Sequence, residues 1–403
     1  MRAAGAIGRR IATCAVTVAA WTAFAVVTAT AGVSAPAPVS QAPVPGVGRS
    51  AGQFPAASPL PAQGASPKAG PSALGPTWVL PAPVWAAWRQ AFLDPSGRVV
   101  DTANGGISHS EGQGYGLLLA VYAQDRASFD QIWTFTFTEL LIRDDGLPAW
   151  KWVPNRTPHV ADINNATDGD LLIAWALAEA GDLWHDPRYL DAARQMARAI
   201  WKVDVRAFDG RNILVPGATG FDHTATGGGI VINPSYWVFE AFEKLALIEP
   251  SLDWKSLEAS GLDLIQRARF GSFQLTSDWV SISSEGELSP AKGFEPLFGY
   301  NSLRIPLYLL AAGHADRERL RPIFQAWTRN GGDRPLIVDV DTSTIVAELS
   351  EPGYRIQTAL LACALNDRPI PSDLRQFQPT SYFASTLHLL AMTTIARRYP
   401  QCL

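Results

Sequence analysis

The stretch that decides the fold is ATDGDLLIAWALAEAGDLW, residues 166–184. From Leu171 to Ala178 it is apolar on every side, so a helix made from it must be buried all round. The next stretch, RYLDAARQMARAIW (188–201), differs: Leu190, Ala193, Met196, Ala197, Ile200 and Trp201 share one helical face and the rest is polar. That spacing gives one buried and one wet face. The pairing recurs late in the chain, where SLRIPLYLLAAG (302–313) is followed by the charged DRERLRPIFQAW (316–327).

Working outward, the spacing predicts helices over 112–123, 128–141, 169–180, 188–201, 235–247, 254–269, 303–312, 317–327, 355–364 and 383–397. Buried and amphipathic helices in alternation fit an inner ring wrapped by an outer ring. The fold class expected is therefore all-α, a toroid of helical hairpins; a layered helical bundle also satisfies the periodicity. Strand-like text is scarce, with 335–340 (PLIVDV) and 212–216 (NILVP) the best cases, so β structure is expected only as short decoration.

The N-terminal part reads differently. Arg2, Arg9 and Arg10 precede an apolar run from Ile11 to Ala31 that ends in the small-residue exit Ala29-Thr30-Ala31. These are the parts of a secretory signal, here 1–31; the run is also long enough for an uncleaved anchor. Residues 32–75 are mostly Pro, Ala, Gly, Ser, Val and Gln, with only Arg49 and Lys68 charged. Such a segment buries too little apolar surface to offset its ordering entropy and is expected to be a spacer. Residues 76–403 then form one domain. Cleavage removes three arginines and no acid, taking the formal charge from −4 to −7. An acidic surface argues against nucleic acid as a partner. With Cys14 inside the signal, Cys363 and Cys402 are left, and whether they pair depends on a distance that sequence does not supply.

The chemistry is expected where acids meet glycines. His109, His159, His185, His223, His314 and His388 are scattered, and no zinc, Walker or nucleophile-elbow pattern occurs. In SEGQGYG (110–116) three alternate glycines open a helix, each costing about 1 kcal/mol relative to Ala. Either a substrate or tight helix packing requires bare backbone there. Glu111 sits at the helix start, where the dipole favours an anion; a proton donor needs burial or a neighbouring carboxylate to oppose that preference. In NNATDGD (164–170), one of Thr167, Asp168 or Asp170 is expected to cap the helix. Both motifs begin inner helices, whose ends open on one cavity in a toroid. Two carboxyl groups at one mouth are the tools of glycosidic bond cleavage. The chain's fourteen tryptophans include several outside the helices, Trp150, Trp152, Trp237 and Trp279. Indoles there either offer flat faces to sugar rings or pack at loop bases.

On these residues the chain resembles glycoside hydrolase family 8. ATDGDLLIAWALAEAGDLW is similar to the family signature and SEGQGYG to its general-acid motif. LPAWKW (147–152), INPSYW (232–237), SDWV (277–280) and GYNSLRIPLYL (299–309) extend the likeness in the expected order. The resemblance implies an (α/α)6 barrel, inversion at the anomeric carbon, no metal or other cofactor, and a β-1,4-glucan such as cellulose as substrate. It implies Glu111 as proton donor and Asp168 as the second active-site carboxylate. Trp150, Trp152, Tyr236 and Trp237 become candidate sugar platforms, and Tyr300 and Arg304 line the reacting centre. The exported endoglucanases that accompany bacterial cellulose synthesis look most similar, which suggests a secreted or periplasmic monomer working beside a cellulose synthase. One position departs. Much of the family carries an aspartate base where this chain has Asn301, and an amide orients water without deprotonating it. Asp278, Glu285, Glu287 and Glu295 precede it, and Asp278 is the first choice for the base. Chitosan, xylan or mixed-linkage glucan on the same scaffold, a weakened glucan-binding relative and a polysaccharide lyase are the competing functions.

Overall fold

The structure is a computed structural model that describes residues 79–223 and 229–403; the expected signal and the whole of the expected spacer lie outside them. Eleven α-helices run through the described residues: α1 Ala82–Phe92, α2 Ser110–Tyr122, α3 Arg126–Phe135, α4 Thr167–Trp184, α5 Pro187–Asp204, α6 Phe239–Ile248, α7 Trp254–Arg267, α8 Arg304–Ala311, α9 Arg317–Trp327, α10 Pro352–Asn366 and α11 Tyr382–Arg398. Side chains of α2, α4, α6, α8 and α11, among them Leu118, Leu172, Glu240, Leu307 and Leu390, meet around one small central cavity. Helices α3, α5 and α7 each return outside the inner helix before them, α9 packs on α7 and α10, and α10 packs on α8, α9 and α11. The fold is the (α/α)6 barrel.

Capping separates the two rings. Each outer return helix starts behind an aspartate whose carboxylate accepts a backbone N–H of the first turn: Asp125 for α3, Asp186 for α5, Asp253 for α7 and Asp316 for α9. That bond satisfies a donor the helix cannot satisfy itself. Inner helices α4, α6, α8 and α11 have no such side-chain cap. The cap expected at the start of α4 is absent in that form. Thr167 Oγ1 donates to Val215 O, Asp170 turns to Asn165, and Asp168 Oδ1 accepts only the N–H of Gly169 at 2.8 Å. The second oxygen of Asp168 is thereby left for the site.

The glycines of α2 serve helix packing. A Cβ on Gly114 would lie 2.5 Å from Leu172 Cβ and 3.2 Å from Ile173 N, and one on Gly116 would lie 2.7 Å from Val99 Cγ2. Helices α2 and α4 are therefore pressed together with backbone near backbone. Gly169 makes the tightest approach, since its Cβ would fall 2.1 Å from Ser110 Oγ and 2.6 Å from the Glu111 nitrogen. The first turns of the two acid-bearing helices touch at this point.

Several boundaries differ from expectation. Helix α1 falls in text rich in Pro and Trp, yet Pro81 and Pro83 occupy its start, where a missing N–H is harmless. Trp85, Trp88 and Phe92 turn inward from it. The helix expected to reach residue 141 loosens to a π turn at Thr136–Leu140, and the one expected from 235 begins as a 3-10 turn at Pro234–Tyr236. The strands are short and pair antiparallel in four small sheets: β1 Ser108–His109 with β2 Lys151–Trp152, β3 Val205–Phe208 with β4 Arg211–Leu214, β5 Ile230–Ile232 with β6 Val280–Ile282 and β7 Leu288–Pro290, and β8 Leu297–Phe298 with β9 Leu336–Asp339 and β10 Thr344–Glu348. Pairing β1 to β2 sets Trp150 O against the N–H of Ser110, beside Glu111. Cys363 of α10 and Cys402 form a disulfide with Cα atoms 6.0 Å apart, which fastens the C-terminus to the barrel.

Because Gly114 meets Leu172 at contact distance, Gly114→Ala should destabilise the fold by about 1–3 kcal/mol through overpacking, outweighing the roughly 1 kcal/mol that helix propensity adds. Urea unfolding of the variant against wild type reads the balance.

Candidate active site

Arg304 opens α8, and it is only 1% exposed. Its Nη1 lies 2.8 Å from both Glu111 Oε2 and Asp168 Oδ2. Nη2 donates to Ser235 Oγ at 2.8 Å and to Asn301 Oδ1 at 2.7 Å, and Nε reaches Asn301 O at 3.3 Å. The first turns of α2, α4 and α8 and the Pro234–Tyr236 turn thus converge on one guanidinium. Burying that cation is tolerable because carboxylates and hydrogen-bond acceptors surround it. Beneath it, Tyr115 and Tyr308 join hydroxyl to hydroxyl.

Burial raises Asp168 out of the ordinary carboxylate range, Arg304 opposes the rise, Glu111 adds to it, and the outcome is about 6. The acid is therefore charged above neutrality and takes a proton in mildly acidic solution. Glu111 is better exposed. Its Oε2 faces Arg304, while Oε1 is buried and receives no hydrogen bond from the described residues. His109 Nδ1 accepts the Gly112 N–H at 2.9 Å, so the α2 start is capped from the chain just before it.

Asp278 lies on the other side of Asn301. Its Oδ1 accepts from Gly299 N, Ser302 N and Ser302 Oγ at 2.9, 2.9 and 2.6 Å, and its Oδ2 from Asn301 Nδ2 at 3.3 Å. Burial raises its proton affinity while these bonds lower it, and the rise prevails. A side chain on Gly299 would fall 2.4 Å from Asp278 Oδ2, so the GYNSLR turn closes directly onto the carboxylate. Asn301 bridges Asp278 to Arg304. Trp279, next in sequence, is stacked against Phe221 and Phe294, with ring centres 5.6 and 4.5 Å away. Of the four acids before Asn301, Asp278 alone meets it; Glu285, Glu287 and Glu295 are on the surface.

The expected sugar platforms need correction. Trp237 is a core residue: its indole donates to Leu257 O at 3.1 Å and its ring abuts Gly261. Trp152 has its ring occupied, with His159 stacked at 4.2 Å and the Arg98 guanidinium 4.9 Å from its centre. Tyr236 is buried with Arg304 5.6 Å from its ring centre, and its phenol feels the charges of Asp168, Glu111 and Asp278 together. It offers a hydroxyl to the centre and no open face. Trp150 and Tyr300 keep exposure at the rim. Trp150 donates to Asp162 Oδ2 at 2.8 Å and carries Lys151 over its ring, while Tyr300 is 39% exposed and stands edge-on to Tyr354 and Phe383.

Sequence reasoning missed Ser235, the Tyr115–Tyr308 pair and the buried group formed by Asn165, Asp170 and Asp204. Ser235 and Tyr308 lie inside quoted motifs, which is the only signal they gave. Asp204 ends α5 in unremarked text and left none. Among the described residues no group of His, Cys, Asp and Glu is disposed to hold a metal ion.

An acid-lined centre built from helix starts at the mouth of an (α/α)6 barrel defines a glycoside hydrolase. Comparison with known sequences bears this out: the profile of glycosyl hydrolases family 8 matches residues 63–397, and the chain belongs to that family. It is 39% identical over 225 residues to an endoglucanase of Cellulomonas uda, covering 56% of this chain and 62% of that one. It therefore spans less than two thirds of that relative. A probable endoglucanase of Novacetimonas hansenii is 37% identical over 272 residues, with 67% and 79% covered. Among solved structures, endo-β-1,4-glucanase CMCax from Acetobacter xylinum superimposes with a TM-score of 0.71 at 33% identity, covering 79% of this chain and 98% of its own.

Arg304→Met leaves the buried Asp168 and the partly exposed Glu111 without their cation, and breaking such a pair costs roughly 3–5 kcal/mol. Asp168 binds its proton more tightly folded than unfolded, so its folded-state stabilisation fades as pH climbs from about 4 through about 6. Without Arg304 that penalty deepens. The stability deficit of the variant should be larger at pH 8 than at pH 5, as read by urea unfolding at both.

Proposed function

We propose that this chain is an endo-β-1,4-glucanase that cleaves cellulose-type glucan with inversion, Glu111 donating the proton and Asp278 accepting one from water. The observation carrying this reading is the linked row Glu111–Arg304–Asn301–Asp278, with Asp168 on the same guanidinium. Two side chains stand between the outer carboxyl groups. Those carboxyl groups are therefore apart and out of direct contact, as inversion needs for a water beneath the sugar.

In the reaction the Glu111 proton passes to the glycosidic oxygen as the C1–O bond breaks. Water adds to C1 from the opposite face and gives its proton to Asp278. Asp168, anionic above pH 6, stabilises positive charge on the sugar ring, and Arg304 keeps it aimed. Asn301 holds the water in place and leaves the proton to Asp278, which explains how a chain with an amide at this position can turn over. Trp150 and Tyr300 flank the centre as sugar contacts. The same proposal has the protein exported by its N-terminal segment, where the Cys363–Cys402 disulfide persists, and acting as a monomer beside a cellulose synthase.

With carboxymethyl-cellulose as substrate, Glu111→Gln and Asp278→Asn should each lower kcat by about 10²–10⁴-fold. Proton NMR of fresh cello-oligosaccharide digests should show the α-anomer first. A fully active Asp278→Asn enzyme rules out the base assignment, and an inactive, well-folded wild type rules out the substrate.

A further inference from the structure

Behind the reacting centre lies a second set of acids that the chemistry above does not use. Asp170 follows Asp168 by two residues on α4, and Asp204 is the last residue of α5; both are fully buried. One side-chain amide serves them both. Asn165 Nδ2 lies 2.7 Å from Asp170 Oδ2 and 3.0 Å from each oxygen of Asp204, while Asn165 Oδ1 accepts the Ala218 N–H at 2.7 Å. Asp170 Oδ1 is buried and has no hydrogen-bond partner among the described residues.

An NH2 group has two protons, and here it faces three buried carboxylate oxygens. Two anions gathered on one amide repel strongly at low effective dielectric, whereas one proton held between them removes the repulsion. The charged groups facing the pair are few. Arg143, bonded to Asp145 and to Ile163 O, lies near both acids; Arg206 of β3 lies near Asp204; Asp168 lies near Asp170 and Asp145 near Asp204. Burial pushes both acids above the ordinary carboxylate range, Asp204 to about 7, and the charge of Asp204 adds to the rise at Asp170.

The group also ties together what the reaction must hold still. Asn164, next to Asn165, accepts the Trp150 N–H through its carbonyl and bonds Thr219 through its side chain. Thr167 bonds Pro216 O and Val215 O. The first turn of α4, the Trp150 strand, the end of α5 and the 215–219 loop therefore share one anchor. We infer that Asp170, Asp204 and Asn165 form a proton-sharing clamp that positions Asp168 and Trp150, and that its loss of the shared proton limits activity on the alkaline side. These are positioning residues, and the inference rests on the hydrolase reading given above.

The sign follows from the chemistry. Below neutrality the pair holds its proton and the clamp is closed. As pH rises the proton leaves, two charges face one amide, and the α4 turn that carries Asp168 loosens. Asp204→Asn keeps the pair from becoming doubly charged at any pH, since Asp170 is then the one acid left to ionise. Its kcat on carboxymethyl-cellulose should match wild type near pH 5.5, and its alkaline limb should move to higher pH by about one unit. Asn165→Ala should lower kcat tenfold or more, through Asp168, whatever it does to KM through Trp150. An alkaline limb in Asp204→Asn that coincides with wild type overturns the proposal, as does an Asn165→Ala effect confined to KM. Urea unfolding separates this from failure of the glucanase reading, because it needs no substrate. Wild type should lose stability from pH 6 to 8 while Asp204→Asn loses less, and equal slopes refute the clamp even in an inactive enzyme.

Discussion

A single buried cation organises this protein. The Arg304 guanidinium touches Glu111, Asp168, Ser235 and Asn301, which come from four separate parts of the chain. A guanidinium presents its donors in a rigid planar fork, so each partner has a fixed direction of approach. The barrel is built to honour those directions. Helices α2, α4 and α8 must end at one level, and their first turns must come closer than ordinary side chains allow.

That closeness explains the glycine pattern and the division of labour between the rings. Outer helices are held at their starts by aspartate caps, a purely local solution. Inner helices carry no aspartate cap, α2 being capped by His109 and the others by no side chain, and their acids are released for long-range contacts. Gly169 lets the Glu111 backbone rest on the start of α4, and Gly114 carries the same contact one turn deeper. The propensity cost of these glycines is recovered in α2–α4 packing. Asp168 shows the compromise in one side chain, with one oxygen on its own helix start and the other on Arg304.

Asn301 gains its meaning from its two neighbours. Its amide gives a hydrogen to Asp278 and takes one from Arg304, so it links the acid side of the centre to Asp278 without adding charge. An aspartate at this position would place another anion among Asp168, Glu111 and Asp278. The aromatic stack of Phe221, Trp279 and Phe294 steadies the loop that carries Asp278, and Tyr236 supplies a hydroxyl within the field of all three acids.

The sequence by itself determined the helices from α2 onward and their two kinds, and it missed α1 in the Pro- and Trp-rich text before them. A run such as LLIAWALA has no polar face to leave in water, while RYLDAARQMARAIW has one on every turn, and those facts need no partner to be read. It also pointed to Glu111 and Asp168 as candidate site residues, because their motifs are local, and the family resemblance added Arg304. The tertiary structure decided everything that depends on what lies across the barrel. Trp237 and Trp152 carry the same indole as Trp150, and only packing against Gly261 or His159 takes their faces away. Asp278 is one of four acids ahead of Asn301, and only the closure of the Gly299 turn selects it. Asp204 lies 34 positions after Asp170, and nothing in either segment announces that one amide joins them. Burial and charge coupling arise between segments distant in sequence, so the chemistry they tune exists only once the chain has closed on itself.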